Sequence, residues 1–350
     1  MMRSLYSGIS GLRNHQTRMD VIGNNIANVN TTGYKTSRVI FQDIFSQTAA
    51  GGTASDPAIG VGGTNPMQIG LGIKLSSIDV MHTPAPFQRT DNPFDMMIGG
   101  DGFFVIEAPG GANPGEQGYF YTRAGNFKLD DQGYLTTTDG YYVLAFANLP
   151  IRFELTEDDP GFDPSRPDDV QYGVRAATWE EAADILGVII PDDVDDQDIY
   201  VSQTPQRVQL KAYLEDYLAD PDNWDEETDG IPYTDLFGFT VGKNGEVTVI
   251  ANNRKLTIAQ LSIAMFANPG GLEKSGNSLY RETSSSGRAE IGMAYLNGAG
   301  TVEGGGLEMS NVDLATEFTD MIVTQRGFQA NSRIITVSDT MLEELVNLKR

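Results

Sequence analysis

The stretch Ser4–Val29, SLYSGISGLRNHQTRMDVIGNNIANV, has the apolar spacing of one long helix. Its apolar residues recur at spacings of four, three, seven, three and four, with Gln16 at the skipped position. This spacing is typical of the narrow a/d stripe of a coiled coil rather than of the broad face of a helix on a globular core. The sequence predicts a helix of about 25 residues, nearly 40 Å long. Its stripe consists of Leu5, Ile9, Leu12, Met19, Ile22 and Ile26.

The C-terminal end has a second stripe of the same kind. Ser310, with Asp313 three residues later, forms a candidate capping box, and proline is absent from Asn311 to Arg350. One helix of roughly 40 residues, about 60 Å long, is therefore expected. Leu314, Met321, Phe328, Ile335 and Leu342 follow at strict seven-residue intervals, and the other seam position holds Phe318, Gln325, Ser332, Asp339 and Val346. We expect the two terminal helices to pack against each other and to leave surface for neighbouring molecules, because an isolated pair of this kind is marginally stable.

The chain between the helices has the pattern of β structure. Aromatic-rich, alternating segments are separated by Asp139-Gly140 and Asn244-Gly245, both strong hairpin signals. The glycines of IGGDGFF, residues 98–104, indicate a tight turn between strands. The fold class is therefore mainly β with α-helical termini: a terminal helical domain at 1–30 plus 311–350, connecting arms at 31–66 plus 291–310, a β domain at 67–149 plus 241–290, and an inserted domain at 150–240.

The predicted insertion differs from the rest in charge. It holds 24 acidic and five basic residues, out of 48 and 24 in the whole chain, whose formal net charge is -24. Such a charge argues against nucleic acid or an anionic membrane as the main partner. DDVDDQD, residues 192–198, offers alternating carboxylates but lacks the glycine and closing glutamate of a calcium-binding EF-hand. A solvated acidic surface is the favoured interpretation, and a calcium site is the alternative.

No catalytic, metal or cofactor site is predicted. Cysteine is absent, which excludes disulfides and thiolate metal sites, and the two histidines, His15 and His82, are expected to be structural or solvated. No apolar run is long enough for a membrane span, and the N-terminus has no signal-peptide core with a cleavage site.

The helix-like N-terminal stretch ends in a group of asparagines, Asn24, Asn25, Asn28 and Asn30. Asparagine is a mediocre helix former whose amide can satisfy backbone groups that a helix end leaves free. One hypothesis is an amide-rich elbow that lets subunits meet in several registers. The alternative is a plain helix end with asparagine caps.

Three parts of the chain resemble one protein family. SLYSGISGLRNHQTRMDVIGNNIANVNTTGYK resembles the N-terminal signature of the axial proteins of the bacterial flagellum, the rod and hook family. NVDLATEFTDMIVTQRGFQANSRIITVSDTMLEELVNLKR is similar to the C-terminal segment in its hook version. DGFFVI, YTRAGNFKLDDQGYL and FANPGGLEKSGNSLYRETSSSG resemble the shared β domain, so the likeness covers all but the insertion.

The resemblance implies a structural subunit of a homopolymer, with no catalysis and no cofactor. In this family the terminal helices form an inner tube around a channel, so both helix stripes and Asn24, Asn25 and Asn28 are expected at subunit interfaces. The implied location is the flagellum, in the hook or basal body outside the cell, after unfolded export by the flagellar type III apparatus without a cleaved signal peptide. Implied partners are further copies of the chain and the rod, hook-cap and hook-filament junction proteins. The hook is the favoured assignment; a distal rod protein, or a secreted calcium-responsive surface protein, is the alternative.

Overall fold

The computed structural model describes residues 2–54, 62–107, 118–147, 150–154, 172–176, 206–207, 238–251, 254–295 and 298–348. The described residues are mainly β, with one long helix at each end, as predicted. The chain divides into two compact units: unit 1 is Met1–Thr31, Lys35–Thr83 and Ser310–Arg350, and unit 2 is Thr32–Tyr34 and Pro84–Met309.

Unit 1 contains the two helices, α1 (Met2–Ala27) and α2 (Leu314–Asn347). The length of α1, 26 residues, agrees with the prediction, whereas α2 is shorter than expected at 34 residues. The expected Ser310 cap is wrong, because Asp313 is the N-cap: its carboxylate accepts hydrogen bonds from the Ala315 N–H at 3.0 Å and the Thr316 hydroxyl at 2.7 Å. A carboxylate is the stronger acceptor and also favours the positive end of the helix dipole.

A long β ribbon completes unit 1. Strand β1 (Ser37–Asp43) pairs antiparallel with β4 (Ile73–Val80), and β2 (Ser46–Ala50) pairs with β3 (Met67–Gly70). The segment 67–83, which the sequence pattern grouped with the β domain, therefore pairs with the 37–50 segment instead. Two asparagines of α1 bind the ribbon: Asn14 donates to the Ile73 carbonyl at 2.8 Å, and Asn25 exchanges hydrogen bonds with the Ser37 backbone.

Unit 2 is built on one large antiparallel sheet. The strands of unit 2 are β5 (Phe87–Arg89), β6 (Met96–Gly99), β7 (Phe103–Glu107), β8 (Tyr119–Thr122), β9 (Lys128–Leu129), β10 (Leu135–Thr136), β11 (Leu144–Ala147), β12 (Pro150–Glu154), β13 (Tyr172–Ala176), β14 (Gln206–Arg207), β15 (Gly238–Val241), β16 (Glu246–Ala251), β17 (Arg254–Met265), β18 (Glu273–Gly276), β19 (Leu279–Arg281), β20 (Glu290–Met293), β21 (Thr301–Gly304) and β22 (Gly306–Glu308). The main path of the large sheet is β14-β11-β17-β7-β8-β19-β18; β16, which forms a hairpin with β15, and β20 also pair with β17. Separate two-stranded pairs are β9-β10, β12-β13, β6-β21 and β5-β22.

The predicted turns of unit 2 are confirmed. Gly140 and Gly245 have φ values of +82° and +77°, which an L side chain rarely adopts, and each closes a hydrogen-bonded turn between antiparallel segments. The 98–104 stretch turns from β6 into β7 as expected. Turn chemistry alone was sufficient to place these reversals.

Both faces of the unit 2 sheet are covered by apolar side chains. Along β7, Phe104 packs into one buried cluster while Phe103 and Val105 pack into a second one on the opposite face. This alternation follows from the two-residue period of a strand. Each face adds aromatic edge-to-face pairs, Phe104 with Phe127 and Phe103 with Tyr280.

Most of the interval 150–240 lies outside the described residues. Only β12, β13, β14 and the first residues of β15 are described there. The separate acidic domain therefore stays a prediction, and the possible calcium-binding segment 192–198 also lies outside the described residues.

Candidate assembly surface

The surface of α1 that meets α2 is shaped by small residues. A Cβ added at Gly8 would lie 3.4 Å from Ile335 Cγ1, and one at Gly11 would collide with the side-chain amide of Asn331. On the opposite helix, a Cβ at Gly327 would lie 2.9 Å from two ring atoms of His15. The three glycines therefore let larger side chains of the facing helix approach the backbone closely.

Small polar residues of α2 occupy this close contact. Thr324 is 1% exposed and Ser338 is 6% exposed. Their hydroxyls donate to the carbonyls of Asp320 at 2.7 Å and of Ile334 at 2.8 Å, four residues earlier, so neither hydroxyl needs a partner across the interface.

The position of one seam series therefore needs correction. The seven-residue series holds from Met321 onward, since Met321, Phe328, Ile335 and Leu342 are partly buried, whereas Leu314 at its start is 38% exposed. The second series lies one residue earlier than predicted and consists of Glu317, Thr324, Asn331 and Ser338. Of the predicted positions, Ser332 is partly buried, but Gln325 and Asp339 are exposed, as are Phe318 at 49% and Val346 at 69%. Apolarity was the wrong guide here, because glycines bring the helices close enough for small polar residues to fill the contact.

An ion pair and a buried amide tie the start of α2 to the end of α1. Arg18 meets Asp320 at 2.9 Å. Asn25, 2% exposed, donates to the Ser37 carbonyl at 2.9 Å and to Glu317 Oε1 at 3.0 Å, and accepts from the Ser37 N–H at 3.0 Å. Burial raises the pKa of Glu317, and the Asn25 hydrogen bond opposes that shift. Asn25 thus joins α1, α2 and β1.

His15 lies in the same contact. Its ring stands edge-to-face against Phe41 with centroids 6.1 Å apart, and its buried Nδ1 has no hydrogen-bond partner among the described residues. Burial lowers the pKa of His15, and nearby Arg18 lowers it further. The imidazole is therefore a packing group that is held neutral.

The other asparagines close the end of α1. The Asn28 amide donates to the Asn24 carbonyl at 2.9 Å, and Asn28 Oδ1 accepts from the Thr31 hydroxyl at 3.1 Å. These are the bonds of a capped helix end. Of the two hypotheses, the geometry favours asparagine caps, with Asn25 added as a buried tie.

One face of α2 is apolar but is not covered by any of the described residues. Its residues follow at spacings of three or four, which places them along one side of the helix. Their exposed fractions run from 44% to 82%. We call this set the outer stripe: Ile334, Val337, Met341, Leu345 and Leu348. Further exposed apolar residues of unit 1 include Tyr6, Ile9, Phe45, Met67 and Ile69.

The residues predicted for a subunit interface fall into three classes of exposure. Ile22 and Asn25 are buried inside the chain. Partly buried are Leu5, Leu12, Met19, Ile26, Asn28, Met321, Phe328, Ile335 and Leu342. Exposed are Ile9, Asn24, Leu314, Phe318, Gln325 and Val346. The sequence reasoning missed the outer stripe, although its three- and four-residue spacing from Ile334 to Leu348 is visible in the sequence.

The described residues offer neither a metal-binding cluster nor a membrane-spanning helix. They contain no group of three or more His, Asp or Glu side chains placed to hold a metal ion. Within the same residues, neither helix is both long and apolar enough to cross a membrane.

Three family models match the chain. Residues 5–35 match the flagella basal body rod protein model, residues 97–204 the D1 domain of flagellar hook protein FlgE/F/G, and residues 303–348 the C-terminal model of flagellar basal body rod FlgEFG proteins. The chain is 41% identical to the flagellar basal-body rod protein FlgG of Bacillus subtilis over 352 positions. It is 34% and 33% identical to the flagellar hook proteins FlgE of Borreliella burgdorferi and Treponema pallidum, over 455 and 472 positions. Each of these alignments covers 100% of both chains.

Proposed function

The chain belongs to the family of bacterial flagellar rod and hook proteins, and we propose that it is the subunit of the flagellar hook. In this role it polymerises into a curved hollow tube that joins rod to filament and transmits torque as a universal joint. The observation that carries the proposal is the outer stripe of α2, which is apolar, regularly spaced and exposed in the single chain.

The outer stripe fits a polymer contact for an energetic reason. Burying a Val, Leu, Ile or Met side chain contributes about 1.5 to 3 kcal/mol, so five such residues supply a substantial driving force for association. A soluble monomer rarely leaves a continuous apolar row exposed without a partner. Another copy of the same chain is the proposed partner, with the stripe packing along a neighbouring helix.

The remaining parts of the proposal follow from family membership. The chain would contact the rod, the hook cap and the hook-filament junction, and would reach its site outside the cell through the flagellar type III export apparatus without a cleaved signal peptide. Since the family is structural, we propose that the chain has neither a catalytic site nor a cofactor.

The distal rod is the second candidate. It is favoured by the alignment with the Bacillus subtilis rod protein, which needs only 352 positions for the 350 residues of this chain. The hook alignments need 455 and 472 positions, so those hook proteins carry segments that this chain lacks. We favour the hook because the C-terminal segment, with QRGFQANSRIITVSD and LEELVNLKR, resembles the hook version of the family. The interval 150–240, which carries 24 of the 48 acidic residues, also suits the solvated outer surface of a tube.

Deletion of the gene, followed by electron microscopy of purified basal bodies, tests the choice. A hook subunit predicts complete rods that end without a hook, and complementation with the intact gene restores the hook. Rods that end short of their distal part would instead assign the chain to the rod. Normal hooks and rods would contradict both assignments.

A further inference from the structure

A buried ion pair lies at the edge of unit 2. Arg123 follows directly after β8, and Glu308 is the last residue of β22. The Arg123 Nη1 to Glu308 Oε2 distance is 3.5 Å, and the two side chains are 2% and 1% exposed. Burying two charges is costly unless further groups stabilise them, so a pair at this depth needs a structural reason.

Glu308 also binds two backbone N–H groups from distant parts of the chain. Its backbone carbonyl accepts from the Gly33 N–H at 2.8 Å, and its Oε1 accepts from the Ala85 N–H at 3.2 Å. Strand β22 places Glu308 opposite Phe87 of β5, and the next N–H, that of Met309, donates to the Pro86 carbonyl at 3.1 Å. One residue therefore joins three separate segments of unit 2.

The position of these segments along the chain is the decisive observation. The chain passes between unit 1 and unit 2 at four points: between residues 31 and 32, 34 and 35, 83 and 84, and 309 and 310. Gly33 lies one residue from the first two passages, Ala85 one residue from the third, and Glu308 one residue from the fourth. Every covalent passage is thus within one residue of Glu308 or of a group hydrogen-bonded to it.

Close packing also holds the segment Thr32–Tyr34 in unit 2. Gly33 has φ +66°, and a Cβ there would lie 2.7 Å from backbone atoms of Arg123 and Ala124. Lys274 of β18 lies over the ring of Tyr34, with its Nζ 4.9 Å from the centroid. Only glycine fits the central position, because both the conformation and the available space exclude a side chain.

Arg123 connects this arrangement to the sheet. Its guanidinium lies over the ring of Phe103, 5.3 Å from the centroid, and Phe103 belongs to a buried cluster of the sheet. We propose that Glu308 and Arg123 form the mechanical anchor of unit 2, the point at which all chain passages out of this unit are fixed to its sheet. The mechanical meaning rests on the proposed function, since a torque-transmitting subunit must pass force along these passages.

Amide hydrogen exchange of the full-length chain tests the anchor. In Glu308→Gln the side chain keeps its size but loses its charge, which leaves the Arg123 charge buried and unpaired. We expect the amides of Gly33, Ala85 and Met309 to exchange at least tenfold faster, together, while the amide of Phe104 in the sheet stays within twofold of the wild-type rate. The matched control is Glu273→Gln, whose 2.8 Å pair with Arg281 is exposed on both sides and which should change none of these rates.

Acceleration confined to Ala85, or equal acceleration in the sheet, would overturn the anchor. If Glu308→Gln does not fold, Gly33→Ala replaces it, because this change pushes Thr32–Tyr34 away from the Arg123 and Ala124 backbone without removing a charge. Faster exchange at Ala85 in Gly33→Ala would support the coupling, and a wild-type rate there would refute it. The exchange rates do not depend on polymerisation, so failure of the anchor is distinguishable from failure of the hook assignment, which the gene deletion tests.

Discussion

Asn25 shows how one side chain organises the end of the first helix. It makes three hydrogen bonds while 2% exposed, whereas Asn24 beside it is exposed. We predict that Asn25→Ala lowers the free energy of unfolding of unit 1 by about 2 to 4 kcal/mol, because the Ser37 backbone groups and Glu317 lose their partner. In the matched control, Asn24→Ala, the free energy of unfolding should fall by about 0.5 kcal/mol or less. Denaturant unfolding followed by helical circular dichroism measures both, and equal effects would disprove the assignment of a special role to Asn25.

His15 makes the helix contact sensitive to acid. Its pKa is lowered in the folded chain from an ordinary 6.5, so the unfolded chain binds its proton more readily. Stability from this group is fully present above pH 6.5 and is lost as the pH falls below it toward the folded-state pKa. Wild-type α1 and α2 should therefore melt at a lower temperature at pH 5.5 than at pH 7.5. In His15→Gln the difference in melting temperature between the two pH values should be smaller. The pH dependence that remains includes that of Glu317, whose raised pKa acts with the opposite sign. An unchanged difference in melting temperature would rule out His15 as its cause.

Two glycines with opposite surroundings provide a third test. A Cβ at Gly125 would run into the backbone carbonyl of Met96, whereas one at Gly23 on α1 would meet nothing within 4 Å. Gly125→Ala should destabilise unit 2 by about 3 kcal/mol or more, since backbone atoms cannot move aside as a side chain can. Gly23→Ala should stabilise α1 by about 1 kcal/mol through helix propensity. Thermal unfolding of the two variants decides the matter, and similar losses in both would contradict the described packing.

At the scale of the element, α2 has two contrasting sides. One side holds glycine and small polar residues against α1, and the other presents the outer stripe. We predict that the double variant Val337→Ser and Met341→Ser retains its helical content but fails to polymerise, because the association loses roughly 3 kcal/mol or more of apolar burial in each subunit.

The matched control for the outer stripe is Thr336→Ser with Thr340→Ser. These exposed neighbours keep their hydroxyls, which donate to carbonyls three residues earlier. Electron microscopy of hooks from cells that carry each double variant gives the comparison. Hooks of normal number in the Val337 and Met341 variant would remove the outer stripe from the polymer contact.

The helices also show what the sequence could and could not predict. The extent of α1 and the seven-residue series of α2 followed from apolar spacing, because a helix repeats its faces at a fixed period. The second seam series did not, since Thr324 and Ser338 are polar and were buried only because facing glycines bring the helices together. Nothing in the local sequence indicates that Phe318 and Val346 are exposed. Those positions depend on the contact distance, which no local pattern encodes.

At the scale of the whole molecule, turns were predictable and long-range pairing was not. Asp139-Gly140 and Asn244-Gly245 were located by their local conformational preference. The pairing of 67–80 with 37–50 and the meeting of Arg123 with Glu308 join residues far apart in sequence. The available signals of buried charge were an arginine within the aromatic-rich YFYTRAGNF and a glutamate between Leu307 and Met309, but neither identifies its partner.

The hook assignment is tested most directly by immunolabelling of hook-basal bodies. An epitope tag is inserted between residues 154 and 172, in the acidic interval, and antibody-bound particles are located by electron microscopy. If the chain is the hook subunit, label should lie along the outer surface of the curved segment between rod and filament, in cells that remain motile. Label confined to the straight rod, or absent from the whole structure, would disprove the hook assignment.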